Sequence, residues 1–260
     1  MKLDVVCTMS GSPSVDNLGA SFNSYFEILP ALSEAERKEV FRVRHAVYCH
    51  DLHFEDERED GEERDEHDAH SILCLLRTRG ANPRPVGCCR MILPGKPPQD
   101  SQLPFEHHCA DVLDRRIIDP SQLDRQRIAE VSRLAVMSDF RRRKDEQHVP
   151  IAISDHDFEQ NSAAARFPFI PVGLYLACVA ISLRMGIDHL FVLTEPRLAK
   201  HFSRIGFDIR QIGSGIEHRG LRVPSHLSPA AIRRDLKPML HSLYAVVEES
   251  IERAYRAAGQ

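Results

Sequence analysis

The sequence contains no tryptophan, and aromatic residues make up only 7% of its 260 residues. Hydrophobic residues account for 42% and charged residues for 28%, which is an ordinary composition for a soluble globular protein. That balance excludes collagen-like, coiled-coil and fully disordered proteins. The length by itself permits one large domain or two small ones.

The sequence also lacks any run of about 18 apolar residues, so it predicts no membrane span. Its first segment, MKLDVVCTMSGSPSVDNLGA, has no apolar core of the kind found in secretory signals. We therefore expect a cytoplasmic protein.

A metal or disulfide framework is not predicted either. The seven cysteines are odd in number and show no C-x-x-C spacing, so we expect reduced and mostly buried thiols. The pairs His50-x-x-His53 and His67-x-x-His70 could clamp a metal in principle. Neither pair has a matching third ligand, which favours surface or core histidines and no metal site.

The net charge of −4 is unevenly distributed. Residues 55–68 contain ten acidic residues and two arginines, a local net charge of −8, which leaves +4 on the rest of the chain. The only sustained basic run is Arg141-Arg142-Arg143-Lys144. One short run in a chain of negative net charge argues against nucleic-acid binding.

Hydrophobic periodicity predicts one α/β domain at residues 22–260, after a disordered segment at residues 1–21. Because strands and helices alternate, we expect a mixed central sheet flanked by helices. Strands are expected at residues 25–29, 72–76, 86–93, 128–136, 189–194 and 207–212. Helices are expected at residues 33–50, 105–113, 171–185 and 196–205, and C-terminal helices at 228–260. The polar stretch 138–170 is expected to be a flexible insertion.

Two of these helices carry recognisable end signals. Ser33 and Glu36 have the spacing of a capping box, in which each side chain satisfies a backbone N–H near the helix start. Gly186 follows an apolar helix and is expected to be its C-cap.

Several charged residues lie where the apolar pattern predicts burial. Arg44 interrupts the apolar positions of the first helix, Arg90 lies in a strand of cysteines and aliphatic residues, and Glu130 and Arg133 lie in a central strand. Unpaired buried ions are expensive, so one interpretation is a paired buried network. The acids expected to complete it are Glu63, Asp65 and Asp68. In the other interpretation, each charge lies on the solvent face of its element.

The segment Leu198-Ala199-x-x-Phe202-Ser203-x-x-Gly206-Phe207 resembles the end of the fold shared by acetyl-coenzyme A dependent N-acetyltransferases. The pattern in that fold is commonly A-x-x-F-Y-x-x-x-G-F, and its tyrosine protonates the departing thiolate. Here that place is Ser203, a much weaker acid.

The N-terminal half resembles the acyl-homoserine-lactone (autoinducer) synthases. Arg44-x-x-x-Tyr48-x-x-x-Leu52-x-Phe54 is similar to their opening motif, with two aromatic positions conservatively substituted and Asp51 in place of a basic residue. Glu63-x-Asp65-x-x-Asp68 resembles the acidic cluster of that family, and Arg90 resembles its strand arginine. Glu130-x-x-Arg133 resembles its E-x-S-R strand. The order and approximate spacing agree over residues 26–212.

A closer resemblance is to the acyltransferases associated with exosortase/PEP-CTERM systems, which are themselves similar to autoinducer synthases and N-acyl amino acid synthases. The stretches that carry it are FRVRHAVYC, DEHDAHSILCLLR, AEVSRLAVMSDFRRR and TEPRLAKHFSRIGF. The resemblance implies a GNAT-like acyl-CoA N-acyltransferase fold and transfer of a fatty acyl group to the amine of an amino acid or related molecule. The acyl donor would be acyl carrier protein or coenzyme A, with no tightly bound cofactor.

The resemblance also implies roles for individual residues. Glu130 would polarise the amine, through a water, and Arg133 would orient Glu130 or bind a substrate carboxylate. The residues expected on the amine side are Arg44, Glu63, Asp65, Asp68 and Arg90. The residues expected to bind the acyl donor are Leu134, Ala135 and Val136, which would pair with its phosphopantetheine arm, and Arg141, Arg142 and Arg143, which would meet its phosphate or an acidic carrier protein.

Three alternatives remain open at this point. An autoinducer synthase would use S-adenosylmethionine and add a lactonisation step. A catalytically dead module would only bind the acyl thioester. The basic run after the central strand could also be a solvated turn.

Overall fold

The computed structural model describes residues 18–95, 101–141, 169–203 and 205–260. Its strands are β1 (Phe26–Pro30), β2 (Ser71–Thr78), β3 (Pro85–Ile92), β4 (Ile128–Val136), β5 (His189–Thr194), β6 (Arg210–Gln211), β7 (Ile216–Glu217) and β8 (Leu221–Leu227). Its α-helices are α1 (Leu18–Tyr25), α2 (Glu34–Arg44), α3 (Pro104–His108), α4 (Phe169–Met185), α5 (Pro196–Ser203), α6 (Pro229–Asp235) and α7 (Pro238–Ala257). A π-helical stretch, His45–Asp51, continues α2, and a 3-10 turn, Glu66–His70, precedes β2.

The strands form a mixed sheet in the order β1-β2-β3-β4-β5-β8-β6, with β7 paired to β8. Strands β4 and β5 are parallel, and the other neighbouring pairs are antiparallel. A parallel pair needs a crossover connection, and α4 lies in the connection between β4 and β5. The predicted mixed central sheet flanked by helices is confirmed.

Helices cover both faces of the sheet. The first face packs against α1, α4, α5, α6 and α7 in one large apolar cluster. The second face carries two smaller clusters, one under α2 and one under α3. Helix α4 is apolar on nearly all sides because it lies between the sheet and α7.

Both predicted helix-end signals are confirmed. The Ser33 N–H donates to the Glu36 carboxylate at 2.8 Å, and the Glu36 N–H donates to the Ser33 hydroxyl at 3.3 Å. Gly186 ends α4 with a φ of 72°, a conformation that glycine adopts without a steric cost. The six described cysteines are buried and free, as expected for reduced thiols.

The N-terminal boundary differs from the prediction. Helix α1 begins at Leu18, so disorder through residue 21 is wrong for the end of that segment, and residues 1–17 lie outside the described part of the chain. Leu18 and Phe22 are buried, and the Gly19 N–H donates to the Ser242 hydroxyl at 3.2 Å. The helix is held by α7, which is too distant in sequence for a local pattern to reveal.

The region after β5 also differs. Residues 207–212 do not form one strand, because only Arg210–Gln211 pairs with β8. The sequence did not predict β8, since Pro224 at its centre is unusual in an inner strand. The carbonyl of a proline can still accept a hydrogen bond, and the Pro224 carbonyl accepts one from the Ile212 N–H at 2.9 Å.

One further predicted helix is shorter in the structure, and the predicted insertion is only partly described. Helix α3 ends at His108 rather than at residue 113. Within the expected insertion at 138–170, Ser138–Phe140 is a 3-10 turn and Phe169 begins α4, while residues 142–168 lie outside the described residues. No helix among the residues that the structure describes has the length and apolarity needed to cross a membrane.

The fold positions the candidate site where β4 and β5 separate. They pair from Ile128 opposite His189 to Val131 opposite Val192, and the pairing stops there. Beyond Val131, Arg133 adopts a φ of 51° and the register of β4 against β3 shifts, which marks a β-bulge. The edge of residues 132–136 that faces β5 has no strand pairing in the described structure, and we call it the open edge of β4.

Candidate active site

Arg44 lies at the end of α2 and is completely buried. Its Nη1 donates to Asp68 Oδ1 at 2.6 Å, and its Nε donates to Glu63. Its Nη2 lies 3.9 Å from Asp65 Oδ2. The arginine that interrupts the apolar face of the helix therefore lies inside the protein and is neutralised there by acids.

Arg90 connects these acids to the bulged strand. Its Nη1 donates to Asp65 Oδ1 at 2.5 Å and to Asp68 Oδ1 at 3.0 Å. Its Nε donates to the hydroxyl of Ser132 at 3.0 Å. Because β3 and β4 are antiparallel neighbours, Arg90 and Ser132 lie opposite one another on the face covered by α2.

Arg133, at the bulge of β4, is the third arginine that contacts these acids. Its Nη2 lies 3.0 Å from Glu55 Oε1, 3.3 Å from Glu63 Oε1 and 3.2 Å from Asp65 Oδ2. The positive φ of Arg133 is uncommon for a residue other than glycine, and such conformations concentrate at functional sites. We call Arg44, Arg90, Arg133, Glu55, Glu63, Asp65 and Asp68 the ionic cluster.

The acidic segment reaches the cluster because its own backbone is held in place. Asp65 caps the 3-10 turn by accepting from the His67 N–H at 3.0 Å, and Asp68 Oδ2 accepts from the Asp65 N–H at 2.8 Å. The Glu63 N–H donates to the Phe41 carbonyl of α2 at 3.1 Å. The same carboxylates therefore cap a turn and bind arginines.

Three acids of the cluster, Glu63, Asp65 and Asp68, are held ionised. Burial by itself would raise the pKa of Asp65, but Arg90, Arg133 and Arg44 lower it to about 2. Burial opposes ionisation of Glu63 and Asp68 as well, and hydrogen bonds and charge from the cluster arginines lower the pKa of both. The structure thus brings together all the residues expected on the amine side, and their role with substrate stays a prediction.

Glu130 has the opposite electrostatic environment. It is 4% exposed, and burial raises its pKa to about 7, with a further increase from the charge of Glu106. The Phe105 N–H donates to Glu130 Oε2 at 2.8 Å, which together with Arg90 and Arg133 moderates the shift. A carboxyl with a pKa near neutrality exists in both protonation states at physiological pH, as a general base requires.

Arg133 does not orient Glu130 in this structure. In the described part of the chain no hydrogen bond joins the two side chains, and the Arg133 Nη2 is directed at the acids of the cluster. The Phe105 N–H of α3 holds Glu130 instead. The Nε of Arg133 is buried without a hydrogen-bond partner, which leaves one donor for a ligand.

Tyr48, in the π-helical stretch that continues α2, contacts the open edge of β4. Its hydroxyl donates to the Leu134 carbonyl at 2.9 Å, and the Arg133 guanidinium lies 5.6 Å from the centre of its ring. The Met137 N–H donates to Val86 of β3, so the alternation of an antiparallel strand directs the N–H and C=O of Val136 away from β3. Of the three residues expected to pair with the donor arm, Val136 therefore presents both backbone groups at the open edge, while Ala135 pairs with β3.

The expected phosphate-binding arginines are only partly described. The side chain of Arg141 is 5% exposed and forms an ion pair with Asp51. Its role toward an acyl donor stays a prediction. Arg142 and Arg143 lie outside the described residues.

The structure also describes Ser203, which occupies the position of the leaving-group acid in the related fold. Ser203 is exposed, and its hydroxyl donates to the Ala199 carbonyl of its own helix at 3.0 Å. The preceding Phe202 is buried, and its ring centre lies 4.0 Å from that of Tyr175 in α4. Neither position of α5 offers an acidic group to a thiolate.

Sequence reasoning missed several residues at this site. Glu55 bridges Arg133 and Arg219, whose Nη2 lies 2.7 Å from Glu55 Oε1. Arg219 is in the turn between β7 and β8, 164 positions from Glu55, so no local pattern could pair them. Tyr48 did have a signal, its fixed spacing from Arg44, but the spacing did not reveal the hydrogen bond to β4.

Comparison with known proteins agrees with this arrangement. Residues 43–149, which contain the ionic cluster and Glu130, match the family model described as an acetyltransferase (GNAT) domain. A search of the curated proteins found no match to the sequence.

The solved structures that are similar include two kinds of acyl-transferring enzyme. The AHL synthase LasI superposes with a TM-score of 0.55 at 16% identity, over 85% of this chain and 96% of that chain. The CoA-dependent acyl-homoserine lactone synthase BjaI gives 0.55 at 21% identity, over 86% and 89%. FeeM, an N-acyl amino acid synthase from uncultured soil microbes, gives 0.51 at 17% identity, over 81% and 94%.

At these identities the structural similarity shows the fold. The domain match covers the segment that builds the site. Together they indicate that the chain is an acyltransferase with a GNAT-type fold.

Proposed function

We propose that the protein is an N-acyltransferase that moves a fatty acyl group from a thioester of acyl carrier protein or coenzyme A to the amine of an amino acid or a related small molecule. The observation that carries the proposal is the position of Glu130 together with its raised pKa. Glu130 lies one residue before the last paired residue of β4 and β5, and its pKa is raised to about 7. The sequence resemblance to exosortase-associated acyltransferases supports the same reaction class.

The acyl donor would occupy the space between the separated strands. Its arm contains amide groups, which can pair with a strand edge as another strand would. Val136 presents its N–H and C=O there, whereas the Leu134 carbonyl is occupied by Tyr48. We therefore expect the arm to pair chiefly with Val136, so that the thioester lies toward the bulge at Arg133.

The amine would lie on the side of the ionic cluster. Glu130, as the carboxylate, accepts a proton from the amine, directly or through a water, and the nitrogen attacks the thioester carbonyl. The bond between carbonyl carbon and sulfur then breaks, and the electron pair leaves with sulfur. The amide product and a thiol remain.

An amino acid fits this side better than a simple amine. The buried Nε–H of Arg133 has no partner, and a carboxylate is the ligand that an arginine donor prefers. The other arginines of the cluster donate to its acids, and Arg44 Nη2 is the other described donor of the cluster that is buried without a hydrogen-bond partner.

Product identification tests the proposal. The purified protein is incubated with a long-chain acyl carrier protein or acyl-coenzyme A and, in separate reactions, with a panel of amino acids, with amines lacking a carboxylate, or with S-adenosylmethionine. Mass spectrometry should detect N-acyl amino acids. Lactone formed only with S-adenosylmethionine would replace the proposal by an autoinducer synthase, and an intact thioester in every reaction would indicate a binding module.

The variant Glu130→Gln tests the assigned base. We expect kcat to fall about 100-fold, because general base catalysis typically contributes 10²–10⁴-fold. Glu62→Gln is the matched control, since Glu62 is a buried carboxyl paired with Arg64 at 3.1 Å and does not reach the bulge. Unchanged turnover of Glu130→Gln would remove Glu130 from the mechanism.

A further inference from the structure

Arg133, the arginine proposed to bind the substrate carboxylate, is itself held by three acids. Its Nη2 lies 3.0 Å from Glu55 Oε1, 3.3 Å from Glu63 Oε1 and 3.2 Å from Asp65 Oδ2. A guanidinium is planar and rigid, so contacts at one of its nitrogens also set the direction of the others. The three acids therefore set the direction of the buried Arg133 Nε–H, which has no hydrogen-bond partner in the described structure.

Each of these acids is bound by a second arginine as well. Glu63 and Asp65 accept from arginines of the ionic cluster that are almost fully buried. Glu55 instead accepts from Arg219 Nη2 at 2.7 Å, so one carboxylate oxygen binds Arg133 and Arg219 together. The Arg219 side chain is 30% exposed and that of Glu55 is 26% exposed. Of the three supports of Arg133, the support through Glu55 therefore lies on the solvent side of the site.

The backbone is strained around this contact. Among the described residues, those other than glycine with a positive φ are His53, Arg133 and Arg219, at 52°, 51° and 55°. Arg133 and Arg219 both bind Glu55, and His53 lies two positions before it. Such conformations are destabilising, persist where the surrounding structure enforces them, and concentrate at functional sites. Their convergence on one carboxylate marks Glu55 as a point where the fold accepts strain to hold a specific arrangement.

Arg219 occupies a backbone position that does not favour arginine. The loop of residues 218–220 joins β7 to β8, and Arg219 and Gly220 in it both have a positive φ. Glycine, asparagine and aspartate are the residues that adopt this conformation most readily. The loop has support that does not involve the Arg219 side chain, because the Gly220 N–H donates to the Glu217 carboxylate at 2.8 Å. The arginine therefore contributes its contact with Glu55 and not the stability of the turn.

On the basis of the proposed function, we infer that Arg219 is a positioning residue that favours amines bearing a carboxylate, because it holds Glu55 and Glu55 holds Arg133. The Arg219 guanidinium also lies 5.8 Å from the centre of the Phe54 ring, so it contacts two consecutive residues of the chain. Arg219 acts on the substrate only through Glu55 and Arg133. An amine without a carboxylate does not use Arg133, so its reaction does not depend on Arg219.

The kinetic test is Arg219→Gln, assayed with an α-amino acid and with the amine that has the same side chain but no carboxylate. KM for the amino acid should rise about fivefold or more, as expected when one member of a contacting ion network is removed. The value of kcat, KM for the acyl donor and KM for the simple amine should each change less than about twofold. No rise for the amino acid, or an equal rise for the acyl donor, would overturn the inference.

Two further comparisons separate positioning from a general loss of an ion pair. Arg184→Gln is the matched control, because the Arg184 side chain is 28% exposed, pairs with Glu252 at 2.6 Å and lies over an aromatic ring. Exposed ion pairs contribute little to folding, so the two glutamine variants should melt at similar temperatures, and only Arg219→Gln should raise KM. In a Glu55→Gln background, Arg219→Gln should have no further effect. A further rise in KM as large as that in the wild-type background would show that Arg219 does not act through Glu55.

A spectroscopic measurement keeps the inference testable if acyl transfer to amines is not observed. The NMR signal of the buried Arg133 Nε–H, assigned in isotope-labelled protein by its loss in Arg133→Lys, reports the position of the guanidinium in the free protein. Arg219→Gln should shift this signal, and Arg184→Gln should not. An unmoved signal would refute the positioning role even if N-acyl amino acids are formed. A shifted signal without acyl transfer to any amine would support the positioning role and refute the proposed function.

Discussion

Glu130 lies on the same face of the sheet as the ionic cluster, yet its pKa is shifted in the opposite direction to those of Glu63, Asp65 and Asp68. Asp65 has three arginines around it, and its pKa falls to about 2. Glu130 has the Phe105 N–H and the charges of Arg90 and Arg133, but burial and the charge of Glu106 outweigh them, and its pKa rises to about 7. The difference teaches that burial alone does not decide the state of a carboxyl, since paired cations overcome its cost.

The two regions should therefore respond differently to substitution. The cluster pairs three arginines with four acids, and this arrangement is sensitive to the loss of any buried member. Glu130 carries a proton equilibrium, which is sensitive to pH and to small changes in nearby charge.

The largest effect is expected from Arg44→Leu. Removing the fully buried guanidinium leaves Glu63 and Asp68 without their main counter-ion, which should cost about 3–5 kcal/mol of unfolding free energy. Chemical denaturation measures this loss of unfolding free energy. Arg42→Leu is the control, because that side chain is 63% exposed and its contact with Glu62 is 3.7 Å, so the change should stay below about 1 kcal/mol.

The pH dependence of activity should come from Glu130. As a general base it must be ionised, so kcat/KM should fall about tenfold per pH unit on the acidic side of its pKa of about 7. The raised pKa also means that Glu130 stabilises the fold fully below its unfolded pKa and that this contribution is lost as pH rises through 7. An acidic limb that persists unchanged in the residual activity of Glu130→Gln would assign the limb to another group.

The cluster should show the reverse dependence of stability on pH. The pKa of Asp65 is lowered from 3.8 to about 2, so its contribution is complete above pH 3.8 and is lost as pH falls toward 2. Asp65→Asn should therefore be less stable than wild type by about 1–2 kcal/mol at pH 7, and the gap should narrow below pH 4. Urea denaturation at several pH values gives the comparison, and a gap independent of pH would contradict it.

The smallest effect is expected from Glu106→Gln. Glu106 raises the pKa of Glu130 through its charge, and Arg125 contacts Glu106 at 2.6 Å. Neutralising Glu106 should lower the pKa of Glu130 and shift the acidic limb of kcat/KM to lower pH. Glu57→Gln, in the exposed acidic loop, should leave the limb in place.

Much of the site could be predicted from the sequence. Arg44, Arg90, Glu130 and Arg133 each interrupt an apolar pattern, and that conflict signals a buried charge that must find a partner. The partner of Arg141 could not be predicted, since its pairing with Asp51 joins two segments distant in the chain. Helix α1 was missed for a related reason, because its burial depends on α7.

The pKa of Glu130 and the lack of a partner for the Thr194 hydroxyl could not be predicted from the sequence for another reason. A sequence pattern indicates which residues are buried, but it does not indicate which donor reaches them. The Phe105 N–H reaches Glu130, whereas no donor or acceptor in the described structure reaches the Thr194 hydroxyl. Such differences arise from distances of a few ångströms between elements.

The sequence by itself determined the mixed α/β fold and the concentration of acid in residues 55–68, because periodicity and charge are local properties. The tertiary structure decided which of those acids are neutralised, that β4 and β5 separate after Val131, and that Glu130 is left with a pKa near 7. The physical reason is that ionisation depends on the total field and on the loss of water at a site. Both are set by side chains that only the folded chain brings together.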